Sequence, residues 1–341
     1  MKTKSKVGFA LVGLGNIATV SVLPAFAHCK RAKLIALVNK DKQRAELLSE
    51  KFPATAVYGS EEYEKCLRDP EISAVYVATP NSEHVSYTVE AARAGKHVLC
   101  EKPLAATLAQ STQMVEACRK SGVQLMTAYR KYFEPATVYL KQLVRRGALG
   151  RIDTIHTSFS EIFRPGISPE WLLNRAVAGG GPLMDLGPYC INTSRWLVDE
   201  DPQEVSACSW VHDKVRFRDV EEGIAFRLQF PSGIVLQGST TYSAAISSLL
   251  YVQGSKGWAS LSPAFPFDEE RHLYGNIGKG LFHRRFTIVD EFAPEIDAFA
   301  AAIQEGRAIE PDGMQGHKDM IIIEAIYQSA KTQQSVSVRY E

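Results

Sequence analysis

Three residues of this sequence have side chains that could together bind an oxygen atom and exchange a proton with it. They are a lysine, an aspartate and a tyrosine. Lys102 lies in Glu101-Lys102-Pro103, directly after a predicted buried strand, at the edge of a doubly wound sheet where ligands bind. Asp185 and Tyr189 lie in GGGPLMDLGPY, four residues apart, and share one face if that segment is helical. Taken singly, Lys102 is most often a surface lysine and Asp185 a helix cap, so the prediction depends on their combination.

A glycine-rich segment near the start of the chain predicts a nucleotide-binding loop. The segment GLGNIA fits G-x-G-x-x-A and lies between a predicted strand and a predicted helix. Gly13 makes the tight turn, Gly15 lets a pyrophosphate approach the backbone, and small Ala18 lets the helix pack on the strand. Asn16 and Ile17 complete the loop, and the N–H groups of the helix N-terminus face the phosphates. The simpler alternative is that these glycines only turn the chain.

The end of the second predicted strand favours NADP over NAD. An acidic residue usually stands there to bind the ribose 2′-hydroxyl, but this chain has Asn39, followed by Lys40 and, one helical turn later, Arg44. Asn39 can hydrogen-bond a 2′-phosphate, and the two basic side chains can neutralise its charge. The alternative is that Lys40 and Arg44 are solvated surface charges, which leaves NAD as the less favoured cofactor.

The first third of the chain alternates short apolar strands with helical patterns, which predicts βαβ units and a parallel sheet. The predicted strands are Val7 to Gly13, Lys33 to Asn39, Thr55 to Gly59, Ser73 to Thr79, His97 to Glu101 and Val123 to Ala128. The predicted helices are Lys42 to Phe52, Ser60 to Arg68, His84 to Ala94 and Leu108 to Ser121. We therefore predict an α/β Rossmann domain, a doubly wound parallel sheet, over residues 1–128.

Beyond Tyr129 a helix from Pro135 to Arg146 leads into alternating strands with turn signals at hairpin spacing, which predicts a large open antiparallel sheet. The segment from Pro263 to Arg285 is predicted to be an irregular loop. Two amphipathic helices, Ala293 to Glu305 and Gly313 to Gln333, close the chain. We predict an α+β domain over residues 129–341, with the option that its C-terminal helix packs back on the first domain.

Composition narrows the class of partner to a small molecule. The 341 residues are 45% hydrophobic and 23% charged, with a formal net charge of +1, so nothing favours nucleic acid or an anionic membrane. The six cysteines form no C-x-x-C pair and the eight histidines no H-x-x-H pair, which predicts reduced thiols and no metal site. The segment Met1 to Lys6 leads directly into a strand and the glycine loop, so we expect no signal peptide and a cytoplasmic protein.

These features together resemble the glucose–fructose oxidoreductase/inositol dehydrogenase (Gfo/Idh/MocA) family over essentially the whole chain. The resemblance rests on VGLGNIA, VYVATPNSEHV, AGKHVLCEKPLA, AYRKYFEP, GALGRI, EWLLNRAVAGGGPLMDLGPYCINTSRWL and IEAIYQSAKT. LPAF, CEKP, YR-x-x-x-EP and D-L-G-x-Y make the chain most similar to the glucose–fructose oxidoreductase branch, although many relatives carry histidine in place of Tyr189. The resemblance implies a Rossmann domain and a second domain whose antiparallel sheet serves substrate binding and assembly into homodimers or homotetramers.

The resemblance also implies roles for individual residues. Lys102, Asp185 and Tyr189 are implied to form the catalytic set, and the Lys102–Pro103 peptide bond is implied to be cis. The stretches that contact ribose or nicotinamide in the family contain Thr79, Pro80, Asn81, His84 and Glu101. Less specific positions on the substrate or cofactor side are Arg130, Trp171 and Arg175.

The implied reaction moves a hydride between C4 of nicotinamide and a carbinol carbon, so an acid/base group must exchange the hydroxyl proton. Tyr189 is the candidate, because Lys102 and the positive nicotinamide would favour its phenolate. Lys102 would also bind the reacting oxygen, and Asp185 would orient Lys102 or a sugar hydroxyl.

The leading hypothesis is therefore an NADP(H)-dependent sugar oxidoreductase that acts at an aldose C1 or a sugar carbonyl. The alternative within enzymes is an NAD-dependent inositol or polyol dehydrogenase. A non-catalytic nucleotide-sensing regulator is the alternative from another class, and a glycosidase assisted by NAD is a minor one.

Overall fold

The computed structural model describes residues 5–52 and 54–340. The chain divides into two compact units, one from the described part of 1–130 with 290–317, the other from 131–289 with 318–340. The first four positions of the predicted segment Met1 to Lys6 lie outside the described residues. The predicted boundary at 128/129 falls two residues before this division, and 290–317 group with the first unit. The assignment of a nucleotide domain and a substrate domain stays a prediction.

The first unit is built on a six-stranded parallel sheet, which confirms the predicted Rossmann fold. Its strands lie in the order β3-β2-β1-β4-β5-β6, in which β1 pairs with both β2 and β4. The chain order reverses at β1, the kind of switch point where nucleotides bind in such sheets. All residues of β1 and β4 are buried, as expected when both faces of a parallel sheet are covered. The strands are β1 (Val7–Val12), β2 (Ala32–Asn39), β3 (Ala56–Gly59), β4 (Ala74–Val77), β5 (His97–Glu101) and β6 (Leu125–Ala128).

The helices between these strands begin and end close to their predicted positions. The longest lies at Leu108–Ser121, where the Thr107 hydroxyl accepts the N–H of Gln110 at its start and left-handed Gly122 ends it. The predicted helix from Ser60 is instead a 3₁₀ turn followed by a short α-helix. The helices are α1 (Leu23–His28), α2 (Lys42–Lys51), α3 (Tyr63–Leu67), α4 (His84–Arg93) and α5 (Leu108–Ser121), and a π-helical turn (Ala18–Val22) precedes α1.

The second unit carries a nine-stranded sheet in the order β14-β13-β12-β11-β7-β10-β9-β8-β15. Its pairs are antiparallel, as predicted, except that β10 runs parallel to β7, so the sheet is mixed and mostly antiparallel. The strands are β7 (Ile152–Ile162), β8 (Glu204–Trp210), β9 (Gly223–Gln229), β10 (Val235–Thr241), β11 (Ser243–Gly254), β12 (Gly257–Ser262), β13 (Arg271–Ile277), β14 (Gly280–Phe286) and β15 (Val336–Ser337).

The predicted irregular loop from Pro263 to Arg285 is wrong, because it contains the β13–β14 hairpin. Arg271 interrupts the alternation of apolar and polar residues that would have indicated a strand. It is a charged residue on the inward face, 2% exposed, and its guanidinium donates to the carbonyl oxygen of Glu269 at 2.6 Å and pairs with Glu134. Most of β14 is exposed on both faces, so its sequence carries no apolar period.

The remaining helices of the chain include two short ones, at the segment that contains Asp185 and Tyr189. They are α6 (Pro135–Arg145), α7 (Arg175–Ala178), α8 (Pro182–Asp185), α9 (Gly187–Val198), α10 (Phe292–Glu305) and α11 (Gly313–Thr332). Helix α10 belongs to the first unit and α9 to the second. The two predicted closing helices, α10 and α11, form within one residue of their expected ends.

Candidate active site

The glycine-rich loop has the geometry that a pyrophosphate needs. Gly13 has φ +86°, and a Cβ there would lie 2.6 Å from the carbonyl oxygen of Ala78, so only glycine fits. At Gly15 a Cβ would meet no described atom within 4 Å, so the backbone faces open space. Asn16 is exposed and Ile17 half-buried at the start of the helical turn. A dinucleotide can therefore reach this backbone without displacing a side chain.

The end of β2 converges on the same loop. The side-chain oxygen of Asn39 accepts the N–H of Leu14 at 3.3 Å, and its amide nitrogen donates to the carbonyl oxygen of Asp41 at 3.0 Å. Nε of Arg44 donates to the carbonyl oxygen of Leu14 at 3.0 Å. The Asp41 carboxylate caps α2 by accepting the N–H of Arg44 at 3.0 Å, so it serves the helix backbone. Two of the three residues predicted to bind the 2′-phosphate thus meet at Leu14.

Lys40 has a different partner. Its ammonium lies 2.5 Å from the carboxylate of Glu83, and this hydrogen bond raises the pKa of the lysine. The charge of Lys40 is therefore offset by a neighbour, whereas Arg44 contacts a backbone oxygen. The side chain of Lys40 is 68% exposed, so solvent screens this ion pair and it contributes little to stability.

Buried polar groups follow β4 and surround the predicted nicotinamide side. Thr79 holds a buried hydroxyl oxygen with no hydrogen-bond partner among the described residues, and Asn81 is buried. The ring nitrogens of His84 lie 2.9 Å from the carbonyl oxygen of Thr79 and 3.1 Å from that of Pro103. Burial lowers the pKa of His84. His84 therefore joins the segment Thr79-Pro80 to the segment after Lys102, and its contact with a cofactor stays a prediction.

The unpaired Thr79 hydroxyl and the open backbone at Gly15 fit a nicotinamide dinucleotide. A buried hydroxyl without a partner costs free energy unless a bound group satisfies it. Both features lie in the first unit, after β4 and β1, at the carboxyl edge of the parallel sheet where ligands of such folds bind.

Glu101 ends β5 and is held inside the first unit. Its carboxylate accepts the hydroxyl of Tyr76 at 2.8 Å and the backbone N–H of Lys102 at 3.2 Å. Burial raises the pKa of Glu101, while the charge of Lys102 opposes the shift. The Lys102–Pro103 peptide bond is cis, as the resemblance implied, and Lys102 itself is half-buried. The arrangement places Lys102 at the edge of the sheet with its backbone fixed by the preceding side chain.

Two buried acids near this segment were missed by the sequence reasoning. Glu291 pairs with Arg130 at 2.5 Å, so the guanidinium of Arg130 is engaged within the first unit. Glu295 is fully buried, and both its carboxylate oxygens have no hydrogen-bond partner among the described residues. Burial, and then the charge of Glu101, raises the pKa of Glu295 well above its ordinary value. The helical spacing of buried Phe292 and Ile296 already places Glu295 on the apolar face, a signal the sequence contains.

Asp185 and Tyr189 lie at the junction of two short helices in the second unit. Helix α8 ends at Asp185 and α9 begins at Gly187, so the segment is helical with an interruption at Leu186. In the run 181–190 these two residues alone are half-buried while the others are buried. The Tyr189 ring packs edge-on against Phe159, with ring centres 5.6 Å apart. The hydroxyl of Tyr242 donates to Oδ2 of Asp185 at 2.9 Å.

Trp171 and Arg175 also belong to the second unit. Trp171 is half-buried in a 3₁₀ turn (Glu170–Leu173). The backbone N–H of Arg175 donates to the carboxylate of Asp219 at 2.6 Å, its Nε donates to the carbonyl oxygen of Asp219 at 3.0 Å, and its guanidinium lies over the ring of Tyr327. Their predicted contacts with substrate or cofactor stay predictions.

Other kinds of site receive no support from the described residues. All six cysteines are free thiols, and within 5–52 and 54–340 no group of three or more His, Cys, Asp or Glu side chains could hold a metal ion. In the described part of the chain, no helix combines the length and the apolar character of a membrane span.

Comparison with known proteins assigns both parts of the chain to one family. A model described as "Oxidoreductase family, NAD-binding Rossmann fold" matches residues 7–129, and one described as "GFO/IDH/MocA C-terminal domain" matches residues 137–260. A D-xylose 1-dehydrogenase [NADP(+)] of Haloarcula marismortui is 30% identical over 339 residues, 98% of this chain and 94% of the other. D-xylose 1-dehydrogenase (NADP(+)) 2 of Haloferax volcanii is 29% identical over 97% of this chain and 99% of its own.

Among solved structures, an aldose-aldose oxidoreductase from Caulobacter crescentus complexed with glycerol is 37% identical, with a TM-score of 0.92 over 98% of this chain and 100% of the other. The similarity to these proteins therefore extends over both compact units.

Proposed function

Because the chain belongs to the Gfo/Idh/MocA oxidoreductase family, we propose that it is an NADP(H)-dependent sugar oxidoreductase that acts on an aldose C1 hydroxyl or a sugar carbonyl. The observation that carries the cofactor part of the proposal is the convergence of Asn39 and Arg44 on Leu14 of the glycine loop. An amide and a guanidinium there suit a 2′-phosphate, whereas an acidic residue would repel it.

The substrate class rests on the relatives and on the retained polar set. The similar proteins named above are D-xylose 1-dehydrogenases and an aldose-aldose oxidoreductase, all of which act on aldoses by name. This chain carries Lys102, Asp185 and Tyr189, which together provide a cation, a carboxylate and a phenol for a hydroxyl-bearing substrate. A non-catalytic nucleotide sensor would have no need of the three together.

NADP⁺, when bound, supplies the hydride acceptor for oxidation of the substrate carbon. Gly13, Gly15 and the N-terminus of the following helical turn would hold its pyrophosphate, and Thr79 would offer its unpaired hydroxyl to the nicotinamide side. Asn39 and Arg44 would bind the 2′-phosphate.

The chain's own groups move the proton. Nζ of Lys102 binds the reacting oxygen, and Oη of Tyr189, which acts as the phenolate, accepts the hydroxyl proton as the carbon loses its hydride. In the reverse direction Tyr189 returns the proton to the oxygen. Asp185 orients the substrate hydroxyl or Lys102 through its carboxylate.

One assay tests cofactor and substrate together. The purified protein is incubated with NADP⁺ or NAD⁺ and a panel of D-xylose, D-glucose and myo-inositol, and the absorbance of the reduced nicotinamide is followed. The proposal expects turnover of an aldose with NADP⁺ and its loss in Tyr189→Phe. Turnover of inositol with NAD⁺ alone would support the polyol dehydrogenase instead, and binding of the cofactor without turnover of any substrate would support the regulator.

We also propose that the protein assembles into a homodimer or homotetramer through the mostly antiparallel sheet, and that it is cytoplasmic. Apolar and aromatic side chains stand exposed on its strands β11, β13 and β14: Ile246 is 59% exposed, Tyr274 44% and Leu281 79%. Exposed apolar residues gathered on one sheet are typical of subunit interfaces. Light scattering tests the proposal, which expects two or four times the mass of one chain, and Leu281→Lys should lower the mass if this sheet is the interface.

A further inference from the structure

The short helix α8, which ends in Asp185, is held at both ends by buried side chains from distant parts of the second unit. At its start the carboxylate of Glu221 accepts the N–H of Gly181 at 3.0 Å and the N–H of Leu183 at 3.1 Å. At its end the hydroxyl of Tyr242 donates to Asp185 at 2.9 Å. A helix of four residues satisfies few of its own backbone groups, so such outside partners determine where it sits.

The glycines before α8 make this arrangement possible. A Cβ at Gly180 would overlap the hydroxyl of Tyr327, and a Cβ at Gly181 would overlap the backbone of Glu221. The Tyr327 hydroxyl itself donates to Oε1 of Glu221 at 2.9 Å. The glycine run therefore lets the backbone lie directly against the carboxylate that holds it.

The protonation states of Tyr242 and Glu221 determine which group donates and which accepts in these hydrogen bonds. Burial, and then the charge of Asp185, raises the pKa of Tyr242 well above its ordinary value, so its hydroxyl stays protonated and remains a donor. Burial raises the pKa of Glu221, whereas its hydrogen bonds with Gly181 and Tyr327 favour the carboxylate. Two backbone N–H groups and one phenol all point at this acid, as an acceptor requires.

We propose that Tyr242 and Glu221 are positioning residues for Asp185, a role that rests on the proposed function. Tyr242 holds Oδ2 of the Asp185 carboxylate and so fixes the direction in which this carboxylate meets a substrate hydroxyl. Glu221 fixes the backbone of α8 from which Asp185 projects. In this proposal both residues act through Asp185, although Glu221 also lies 3.9 Å from the guanidinium of Arg175.

The direct test is Tyr242→Phe, which removes one hydroxyl and keeps the ring. Loss of one hydrogen bond to a charged group should lower kcat/KM for the aldose by about 10- to 100-fold. The dissociation constant for NADPH and the Tm should stay close to those of the wild type. The matched control is Tyr340→Phe, which removes a phenol that donates to the carbonyl oxygen of Pro202 at 2.8 Å elsewhere in the same unit. It should leave kcat/KM unchanged.

A double-mutant cycle separates positioning from a general loss of packing. In an Asp185→Ala background, Tyr242→Phe should lower kcat/KM no further, because the carboxylate that it holds is gone. A further 10-fold loss there would overturn the proposal. If the doubly substituted enzyme is too slow to assay, a crystal structure of Tyr242→Phe decides, and an Asp185 carboxylate in its wild-type position would overturn it.

Glu221 is tested through the mild substitution Tyr327→Phe, which removes one donor to its carboxylate and leaves both backbone bonds. A smaller loss of kcat/KM than in Tyr242→Phe is expected, again absent in the Asp185→Ala background. Wild-type protein that turns over no sugar would overturn the proposed function. Wild-type turnover that survives Tyr242→Phe unchanged would overturn this inference alone.

Discussion

Nε of Arg44 donates to the carbonyl oxygen of Leu14 at 3.0 Å, which ties the first turn of α2 to the glycine-rich loop. The guanidinium is thereby oriented before any ligand arrives, and its other N–H groups can donate to a phosphate. Asn39 reaches the same residue from the end of β2. Preorganised donors lose less side-chain entropy on binding, so this arrangement should discriminate between the two dinucleotides.

Arg44→Ala should therefore weaken NADPH binding and leave NADH binding nearly unchanged. A charge-assisted hydrogen bond contributes about 1.5–3 kcal/mol, which corresponds to a loss of about 10- to 100-fold in affinity for NADPH. Lys40→Ala serves as the comparison and should cost less, because Glu83 already pairs with that ammonium. Fluorescence titrations measure the dissociation constants for NADPH and NADH. Equal affinities in the wild type would contradict the proposal that these side chains recognise the 2′-phosphate.

Asn39→Asp should reverse the cofactor preference. The new carboxylate would repel the 2′-phosphate and could accept the ribose 2′-hydroxyl of NADH. The N–H of Leu14 would keep an acceptor, so the loop should keep its conformation. The ratio of the NADPH and NADH dissociation constants is the measurement, and a ratio that stays as in the wild type would show that this residue does not face the ribose.

Gly15→Val should abolish dinucleotide binding while the protein stays folded. A Cβ at this position would enter the open space in front of the loop and meet no described atom of the protein within 4 Å. Gly13→Val should instead lower the stability as well, because its φ is +86° and a Cβ would meet the backbone of Ala78. Calorimetry of binding and a thermal melt distinguish the two. Unchanged NADPH affinity in Gly15→Val would remove the loop from the binding site.

Tyr189→Phe should lose most turnover with little change in cofactor binding. A general acid/base group typically contributes about 10²- to 10⁴-fold to the rate. The ring contact with Phe159 would remain, so the fold around the junction of α8 and α9 should be kept. Steady-state kinetics at several pH values measure the effect. Full turnover in the variant would show that another group transfers the proton, and Lys102 would be the next candidate.

Glu295→Gln should change how the stability depends on pH. Because burial raises the pKa of Glu295 above its unfolded value, the folded state binds the proton more tightly than the unfolded state does. The stability that this proton gives is complete below the unfolded pKa and is lost as the pH rises toward the folded pKa. The glutamine carries no such proton at any pH.

The wild-type free energy of unfolding should therefore fall relative to that of Glu295→Gln by up to about 1.4 kcal/mol per pH unit as the pH rises above the ordinary glutamate pKa toward the raised pKa of the folded state. Urea denaturation at several pH values measures the difference. Glu50→Gln, which removes an exposed carboxylate of α2, controls for the loss of one charge. Parallel curves for wild type and Glu295→Gln would show that Glu295 is not a buried proton holder.

The pattern of neighbouring residues along the chain was sufficient to predict the parallel sheet and the glycine-rich loop. The strand His97–Glu101 and the helix Leu108–Ser121 form over their predicted residues, because apolar period, capping threonine and terminal glycine are properties of neighbours along the chain. The glycine motif likewise follows from its own residues. At Arg271 a charged side chain faces inward and interrupts the apolar alternation of the strand. The sequence pattern therefore predicted a loop where the structure has a hairpin.

The sequence by itself determined which residues could do chemistry and that a nucleotide loop follows β1. Only the tertiary structure decided their partners: Tyr242 against Asp185, Glu221 beneath α8, and buried Glu295 beside the charge of Glu101. These partners are far apart along the chain, and their distances are determined by sheet register and helix packing. A hydrogen bond or a charge interaction depends on separation in space, which no local spacing of residues contains.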